Sequence, residues 1–139
     1  KPMKLRKVLV GACSVAFLFV LCQGVRTVFS QGKIALICNP GGAFSLALPV
    51  LALLGLAVGA LILFSVQWWR EEYVPARFAW LFLIGGGVSN LFERLSYGCV
   101  TDYIRLGDFP TFNLADILLT IGVAGILWKG FLGKKKTSQ

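Results

Sequence analysis

The stretch Phe44-Ser-Leu-Ala-Leu-Pro-Val-Leu-Ala-Leu-Leu-Gly-Leu-Ala-Val-Gly-Ala-Leu-Ile-Leu-Phe-Ser-Val66 decides the fold class, because its 23 residues include no charged side chain. A helix rises 1.5 Å per residue, so about 20 apolar residues cross the ~30 Å hydrocarbon core of a bilayer. The whole chain agrees: 57% of its 139 residues are hydrophobic and only 14% are charged, whereas about a quarter are charged in a typical soluble domain. The sequence therefore predicts an all-α integral membrane protein.

Three further apolar blocks accompany this one. The four predicted transmembrane helices cover residues 8–29, 44–67, 78–97 and 113–132, and the connecting loops are too short for a second domain, so residues 1–139 form one domain. The first block is longer than the apolar region of a signal peptide and lacks a convincing cleavage site, so we expect a retained helix. In the second block, Pro49 falls in the first two turns, and Gly55 and Gly59 predict a face for close helix approach.

The basic residues predict an orientation. Ten of the fourteen lysines and arginines lie at the termini or in the loop between the second and third spans, and the other four are Arg26, Lys33, Arg94 and Arg105. Lysine and arginine are enriched in cytoplasmic segments that flank spans. We therefore expect both termini in the cytoplasm (N-in, C-in). We also expect a small β-rich extracytoplasmic cradle between the first two spans.

The residue types that are missing or scattered exclude several chemistries. The chain has no histidine, which excludes Ser-His and Cys-His catalysis and histidine-based metal motifs. The four cysteines lack the close spacing of zinc ligands, so we expect no metal and no cofactor. Cys38 and Cys99 both fall in predicted outer segments, which leaves a disulfide between them open. The net charge of +8 comes largely from basic clusters at the termini, which are topology signals, so we expect no nucleic-acid partner.

Two aspartates, Asp102 and Asp116, bracket one short segment between the third and fourth spans. Carboxylates are costly near hydrocarbon, so acids in such a chain are candidates for function. Each also has a structural interpretation: Asp116 fits a helix cap with Asn113, and Asp102 fits an ion pair with a nearby arginine. Taken singly, the two residues leave both interpretations open. As a pair, they are the residue types with which an aspartyl protease activates water.

Three short motifs occur in order along the chain. They are Asn39-Pro-Gly-Gly-Ala-Phe44, then Asn90-Leu-Phe-Glu93-Arg94 with Gly98-Cys-Val-Thr-Asp102-Tyr103, and finally Pro110-Thr-Phe-Asn113-Leu-Ala-Asp116. In order, spacing and shared membrane depth, they resemble signal peptidase II, the family of bacterial lipoprotein signal peptidases. The resemblance covers nearly the whole chain. It implies a four-span aspartyl protease of the bacterial cytoplasmic (inner) membrane, with its active site at the extracytoplasmic face.

The resemblance also implies roles for individual residues. Asp102 and Asp116 match the catalytic dyad, in which the ionised carboxylate activates water and the protonated one donates to the scissile carbonyl. Which aspartate holds the proton is open. The implied substrates are diacylglyceryl-modified lipoprotein precursors, cut just before the lipidated cysteine by a monomer in contact with membrane lipid. The implied supporting or substrate-binding residues are Asn39, Gly42, Phe44, Asn90, Glu93, Arg94, Asn113, Gln23 and Arg26.

Two segments depart from the family pattern. Near the end of the first span the family usually has Asp-Gln-x-x-Lys, where this chain reads Cys22-Gln23-Gly24-Val25-Arg26, and the aspartate usual before Arg94 is Glu93. These changes motivate one alternative, a catalytically silent relative that binds lipidated peptide or lipid. A second alternative is a small proton-coupled four-span transporter, which needs an acid deep within a span. The acids here lie toward the span ends, which favours the peptidase.

Overall fold

The structure is a computed structural model of the chain, and it describes residues 2–32, 36–40 and 49–136. This part of the chain forms four helices, α1 (Pro2–Gln31), α2 (Val50–Arg70), α3 (Val74–Tyr97) and α4 (Leu114–Lys136). Two short strands, β1 (Ile37–Asn39) and β2 (Val100–Asp102), follow α1 and α3. The predicted helical architecture is confirmed, and a small sheet joins two of its connecting segments.

Three helices in the described part of the chain are long and apolar enough to cross a membrane. They comprise Lys4–Gln31 of α1, Val50–Arg70, which is all of α2, and Leu114–Leu132 of α4. The third predicted span forms α3, whose 24 residues are about 36 Å long. α3 is not among the three; it carries Arg77 near its start and Asn90, Glu93 and Arg94 in its second half. Its length alone suits a bilayer.

Proline and glycine set the ends of α2 and α3. Pro49 immediately precedes α2 instead of lying inside its first turns as predicted, while residues 44–48 of that predicted span lie outside the described residues. Pro75 is in the first turn of α3, which starts four residues before the predicted position 78; proline suits both places because the first turn needs no N–H donor. Gly98 ends α3 with a left-handed φ of 75° and donates its N–H to the Arg94 carbonyl.

The central helix is α3, which packs against each of the other three. Glycine permits the close approach of α4, since a Cβ on Gly86 would lie 2.6 Å from the Ala115 carbonyl oxygen. Gly55 and Gly59 on α2 have no described atom within 4 Å of their Cβ positions. The predicted close helix approach at these two glycines is therefore wrong for the described part of the chain.

The sheet ties the segment after α1 to the segment after α3. β1 and β2 are antiparallel, with Ile37 opposite Asp102 and Asn39 opposite Val100. A disulfide joins Cys38 to Cys99, whose Cα atoms are 5.6 Å apart. The predicted β-structure between the first two spans is present as β1, but its partner strand comes from the segment that carries Asp102.

Candidate active site

Asp102 is the last residue of β2, and only 2% of its surface is exposed. Asn39, the last residue of β1, donates from Nδ2 to Asp102 Oδ2 at 3.2 Å. The register puts Asn39 opposite Val100, so its side chain reaches Asp102 diagonally, across positions that share one face of the sheet. The strand pairing therefore supplies the first hydrogen-bond donor to this carboxyl group.

Asp116 lies in the first turn of α4 and interacts with Asn113, the residue before the helix. Asn113 Oδ1 accepts the N–H of Asp116 at 3.0 Å, and Asp116 Oδ2 accepts the N–H of Asn113 at 3.2 Å. This reciprocal arrangement is a capping box, which satisfies amides that the first helical turn leaves unpaired. The capping interpretation of Asp116 is confirmed, and the cap also fixes the position of one carboxylate oxygen.

Two side-chain amides connect Asp102 to Asp116. Asn113 Nδ2 donates to Asp102 Oδ1 at 3.1 Å and to Asn90 Oδ1 at 3.2 Å. Asn90 Nδ2 in turn donates to Asp116 Oδ1 at 2.9 Å. Both asparagines are buried, and the two hydrogen bonds that Asn113 Nδ2 donates are buried as well, so water competes little for them. The two acidic residues thus belong to one hydrogen-bonded cluster.

Burial raises the pKa of Asp102 to about 6, from an ordinary value of 3.8. The hydrogen bonds from Asn39 and Asn113 lower this pKa, whereas the negative charges of Asp116 and Glu93 raise it further. A carboxyl group with a pKa this close to neutrality can hold or release a proton at physiological pH. That property is what general acid–base chemistry requires.

A further polar layer holds the residue that precedes Asp102. Glu93 Oε2 accepts the backbone N–H of Thr101 at 2.8 Å. Arg26 Nε lies 3.5 Å from the same carboxylate oxygen and donates to Thr101 Oγ1 at 3.1 Å. Gln23 Nε2 lies 3.4 Å from the other oxygen, Glu93 Oε1. Side chains from α1 and α3 therefore fix the position of β2.

Arg94 is half-buried and follows Glu93 on α3. The negative charges of Asp116, Asp102 and Glu93 all act on its guanidinium group. Their attraction offsets part of the cost of holding a cation away from water. Arg94 therefore supplies positive charge to the acidic cluster.

The sequence is similar to a known protein family and to individual members of that family. The profile of the family described as signal peptidase (SPase) II matches residues 7–132. The chain belongs to the signal peptidase II family.

A lipoprotein signal peptidase from Dehalococcoides mccartyi is 58% identical over 45 residues, which is 32% of this chain and 28% of that protein. One from Shigella flexneri is 40% identical over 91 residues, covering 61% of this chain and 56% of that protein. One from Yersinia pestis is 38% identical over 84 residues, covering 56% and 50%. The chain thus spans between about a quarter and just over half of the length of these relatives.

Solved structures show the same fold. A bacterial membrane enzyme determined by the in meso method at 2.3 Å resolution superposes with a TM-score of 0.81 and 21% identity, covering 94% of this chain and 92% of that one. A second, at 1.9 Å resolution, gives a TM-score of 0.75 and 21% identity, covering 86% and 91%. At this level of identity the likeness concerns the fold.

The departures from the signal peptidase II pattern occupy packed positions. Cys22 is 3% exposed and belongs to an apolar cluster with Leu18 of α1 and Ala115 of α4. In place of the usual acid, it is therefore a small packing residue between two helices. The other two changed residues, Arg26 and Glu93, contact each other. Each changed position thus has a defined partner in this fold.

Most of the residues predicted from sequence come together. The cluster contains Asp102, Asp116, Asn39, Asn90, Glu93, Arg94, Asn113, Gln23 and Arg26. Gly42 and Phe44 lie outside the described residues. Among the residues that the structure describes, no three His, Cys, Asp or Glu side chains form a group able to hold a metal ion.

Three residues of the site, Ser89, Thr101 and Tyr103, were given no role by the sequence motifs. Ser89 Oγ accepts a hydrogen bond from Gln23 Nε2 at 2.8 Å, and Thr101 links Glu93 to Arg26. The Tyr103 hydroxyl oxygen accepts the N–H of Leu114 at 3.0 Å. Thr101 and Tyr103 lie within the quoted motif around Asp102, whereas the only sequence signal for Ser89 was that it precedes Asn90.

Proposed function

We propose that this chain is an aspartyl endopeptidase that removes the signal peptide from diacylglyceryl-modified lipoprotein precursors, cutting just before the lipidated cysteine. The observation that carries the proposal is the amide-bridged pair of acids, in which Asn113 and Asn90 join Asp102 to Asp116. Membership of the signal peptidase II family supports the reaction type and the substrate class. The names of its relatives, lipoprotein signal peptidases, support the same substrates.

In the proposed reaction, Asp116 is the general base and Asp102 carries the proton. Burial favours the neutral form of Asp102, so we assign the proton to Asp102 and the role of base to Asp116, the other member of the pair. Asp116 takes a proton from water as the water oxygen attacks the scissile carbonyl carbon, and Asp102 donates its proton to the carbonyl oxygen. When the tetrahedral intermediate collapses, the C–N bond breaks. The amine leaves with the proton from Asp116, and the new carboxyl group returns a proton to Asp102.

The remaining polar residues position this pair. Asn39, Asn90 and Asn113 would orient the two carboxyl groups through the hydrogen bonds described above. Arg94 would offset the negative charge of the ionised dyad. Gln23, Arg26 and Glu93 would support β2. Gly42 and Phe44, which lie outside the described residues, remain predicted contacts of the substrate backbone.

We further propose four spans, with α3 as the one that crosses the bilayer inside the bundle. Its packing against all three apolar helices supports this placement, because its polar residues then face protein instead of lipid. The distribution of lysine and arginine supports cytoplasmic termini. The active site would then lie at the extracytoplasmic face of the bacterial cytoplasmic membrane. Residues 1–139 would act as one domain, as a monomer in contact with membrane lipid and without a cofactor.

A cleavage assay tests the proposed function directly. The full chain is reconstituted in phospholipid vesicles with a diacylglyceryl-modified precursor, and product formation is followed for wild type, Asp102→Asn and Asp116→Asn. We expect each substitution to lower kcat on the order of 10³-fold, because each removes a proton donor or acceptor. Asp108→Asn is the matched control, since Asp108 is exposed in the loop between the two aspartates, and it should cleave normally.

Other outcomes separate the alternatives. If either aspartate variant cleaved the precursor at the wild-type rate, the assignment of the two aspartates as the catalytic dyad would be wrong. Precursor binding without product from the wild type would favour the silent relative. Proton flux across the vesicle without cleavage would favour the transporter.

A further inference from the structure

Tyr103 is held on three sides, although the function proposed above assigns it no role. It follows Asp102 directly and is 6% exposed. Its ring stacks on Phe29 of α1, with centroids 4.6 Å apart and planes inclined by 28°. Its N–H donates to the Phe112 carbonyl at 3.2 Å, and its hydroxyl oxygen accepts the Leu114 N–H at 3.0 Å. Both the backbone and the side chain of Tyr103 are therefore fixed.

The hydroxyl contact links the segments that carry the two acids. Leu114 is the first residue of α4 and follows Asn113. Its N–H is one of the first-turn amides that a helix cannot satisfy internally. Asn113 Oδ1 already accepts a different first-turn amide, that of Asp116, so the phenol supplies the acceptor that the capping box lacks. One end of Tyr103 is thus covalently next to Asp102, and the other contacts the helix start that carries Asp116.

We propose that Tyr103 is a positioning residue that sets the spacing of the two carboxyl groups by holding the start of α4 against the residue after Asp102. The proposal rests on the proposed peptidase function and deepens it. Without the phenol oxygen, the Leu114 amide loses a partly buried hydrogen bond, and the first turn of α4 gains freedom to move. A displacement of about 1 Å at reacting groups can lower a rate by as much as about 10²-fold.

The chemistry of the phenol suits a constant structural contact. Burial raises the pKa of Tyr103 to about 12; the Leu114 N–H acts to lower this pKa, and the negative charges of Glu93 and Asp116 act to raise it. The hydroxyl group therefore stays protonated throughout the pH range in which a carboxyl dyad works.

Tyr103→Phe isolates this contact, because phenylalanine keeps a ring that stacks on Phe29 and lacks only the oxygen. We expect amide hydrogen exchange at Leu114 to become about fivefold faster, as the loss of one hydrogen bond predicts. We also expect kcat to fall about tenfold at unchanged KM, with the pH–rate profile displaced. Tyr73→Phe is the matched control: Tyr73 is exposed next to the other end of α3, and all three measurements should match wild type.

The measurements distinguish a failure of this proposal from a failure of the proposed peptidase function. Unchanged exchange at Leu114 in Tyr103→Phe overturns the proposal whether or not the wild type cleaves precursors. Faster exchange with wild-type kcat overturns the positioning role while leaving the peptidase function intact. If the wild type does not cleave at all, the proposed function fails, and carboxyl titration of Asp102 by NMR decides: a displaced pKa in Tyr103→Phe supports the positioning role, and an unchanged one overturns it.

Discussion

Asn113 Nδ2 lies 3.1 Å from Asp102 Oδ1. The oxygen of the same side chain accepts the Asp116 N–H at 3.0 Å, so one amide group contacts both acidic residues through different atoms. Capping and function are therefore not rival explanations of Asp116. The cap orients the start of α4, and the side-chain Nδ2 of Asn113 connects that start to Asp102 and Asn90.

Serine at position 113 should separate these two roles. A serine hydroxyl caps a helix about as well as an asparagine oxygen, so Asn113→Ser should keep the cap while losing the donors to Asp102 and Asn90. Asn113→Ala should lose the cap as well, with a free energy of unfolding lower than that of Asn113→Ser by about 1 kcal/mol. Both variants should lower kcat by about 10²-fold, measured by single-turnover cleavage. Wild-type kcat in Asn113→Ser would show that the bridge is not needed.

Arg26 and Glu93 should be energetically coupled. Their side chains are 20% and 5% exposed and lie 3.5 Å apart, so solvent screens the pair weakly. Arg26→Gln leaves a buried carboxylate without its cation, and Glu93→Gln leaves the guanidinium without its anion, and each loss is destabilising. In the double variant neither charge remains. We therefore expect its loss of stability to be smaller, by about 1 kcal/mol or more, than the sum of the losses in the two single variants. Denaturation of the four proteins measures this coupling, and additive effects would contradict it.

Thermal stability should fall as pH rises through the pKa of Asp102. The folded pKa of about 6 exceeds the ordinary value of 3.8, so the folded state favours the protonated form. The stabilisation is complete below the ordinary value and is lost as the pH passes about 6. Asp102→Asn cannot ionise and should flatten this part of the curve, which thermal denaturation between pH 4 and 8 would measure. An identical pH dependence in both proteins would show that another group is responsible.

The substitutions Gly86→Ala and Gly55→Ala should differ sharply in their effect on the stability of the fold. Gly86→Ala places a Cβ 2.6 Å from the Ala115 carbonyl oxygen, and this backbone atom cannot move without shifting α4. We expect a loss of about 1–3 kcal/mol, as is usual for overpacking. Gly55→Ala is the matched control, because no described atom lies within 4 Å of its Cβ position. It should leave the thermal midpoint unchanged or slightly raised. Equal losses in both variants would contradict the close contact at Gly86.

The local part of the site was predictable from sequence, and the long-range part was not. Asn113 and Asp116 are three residues apart, a spacing that itself identifies a capping box. The contacts of Asn39 with Asp102 and of Asn90 with Asp116 span 63 and 26 residues. They depend on the pairing of β1 with β2 and on the packing of α3 against α4, which no local pattern specifies.

The sequence by itself determined the lipid medium, the helices and the family, because uninterrupted apolar runs and short motifs are properties of neighbouring residues. It predicted one end of α3 at Tyr97 but placed Pro49 inside α2, since the exact helix start depends on how the first-turn amides are satisfied. Only the tertiary structure decided that Cys38 joins Cys99, that Arg26 meets Glu93 and that the Tyr103 hydroxyl reaches Leu114. It also decided the pKa of Asp102. Burial and hydrogen-bond partners depend on which distant segments pack together, and that choice is made by the whole fold.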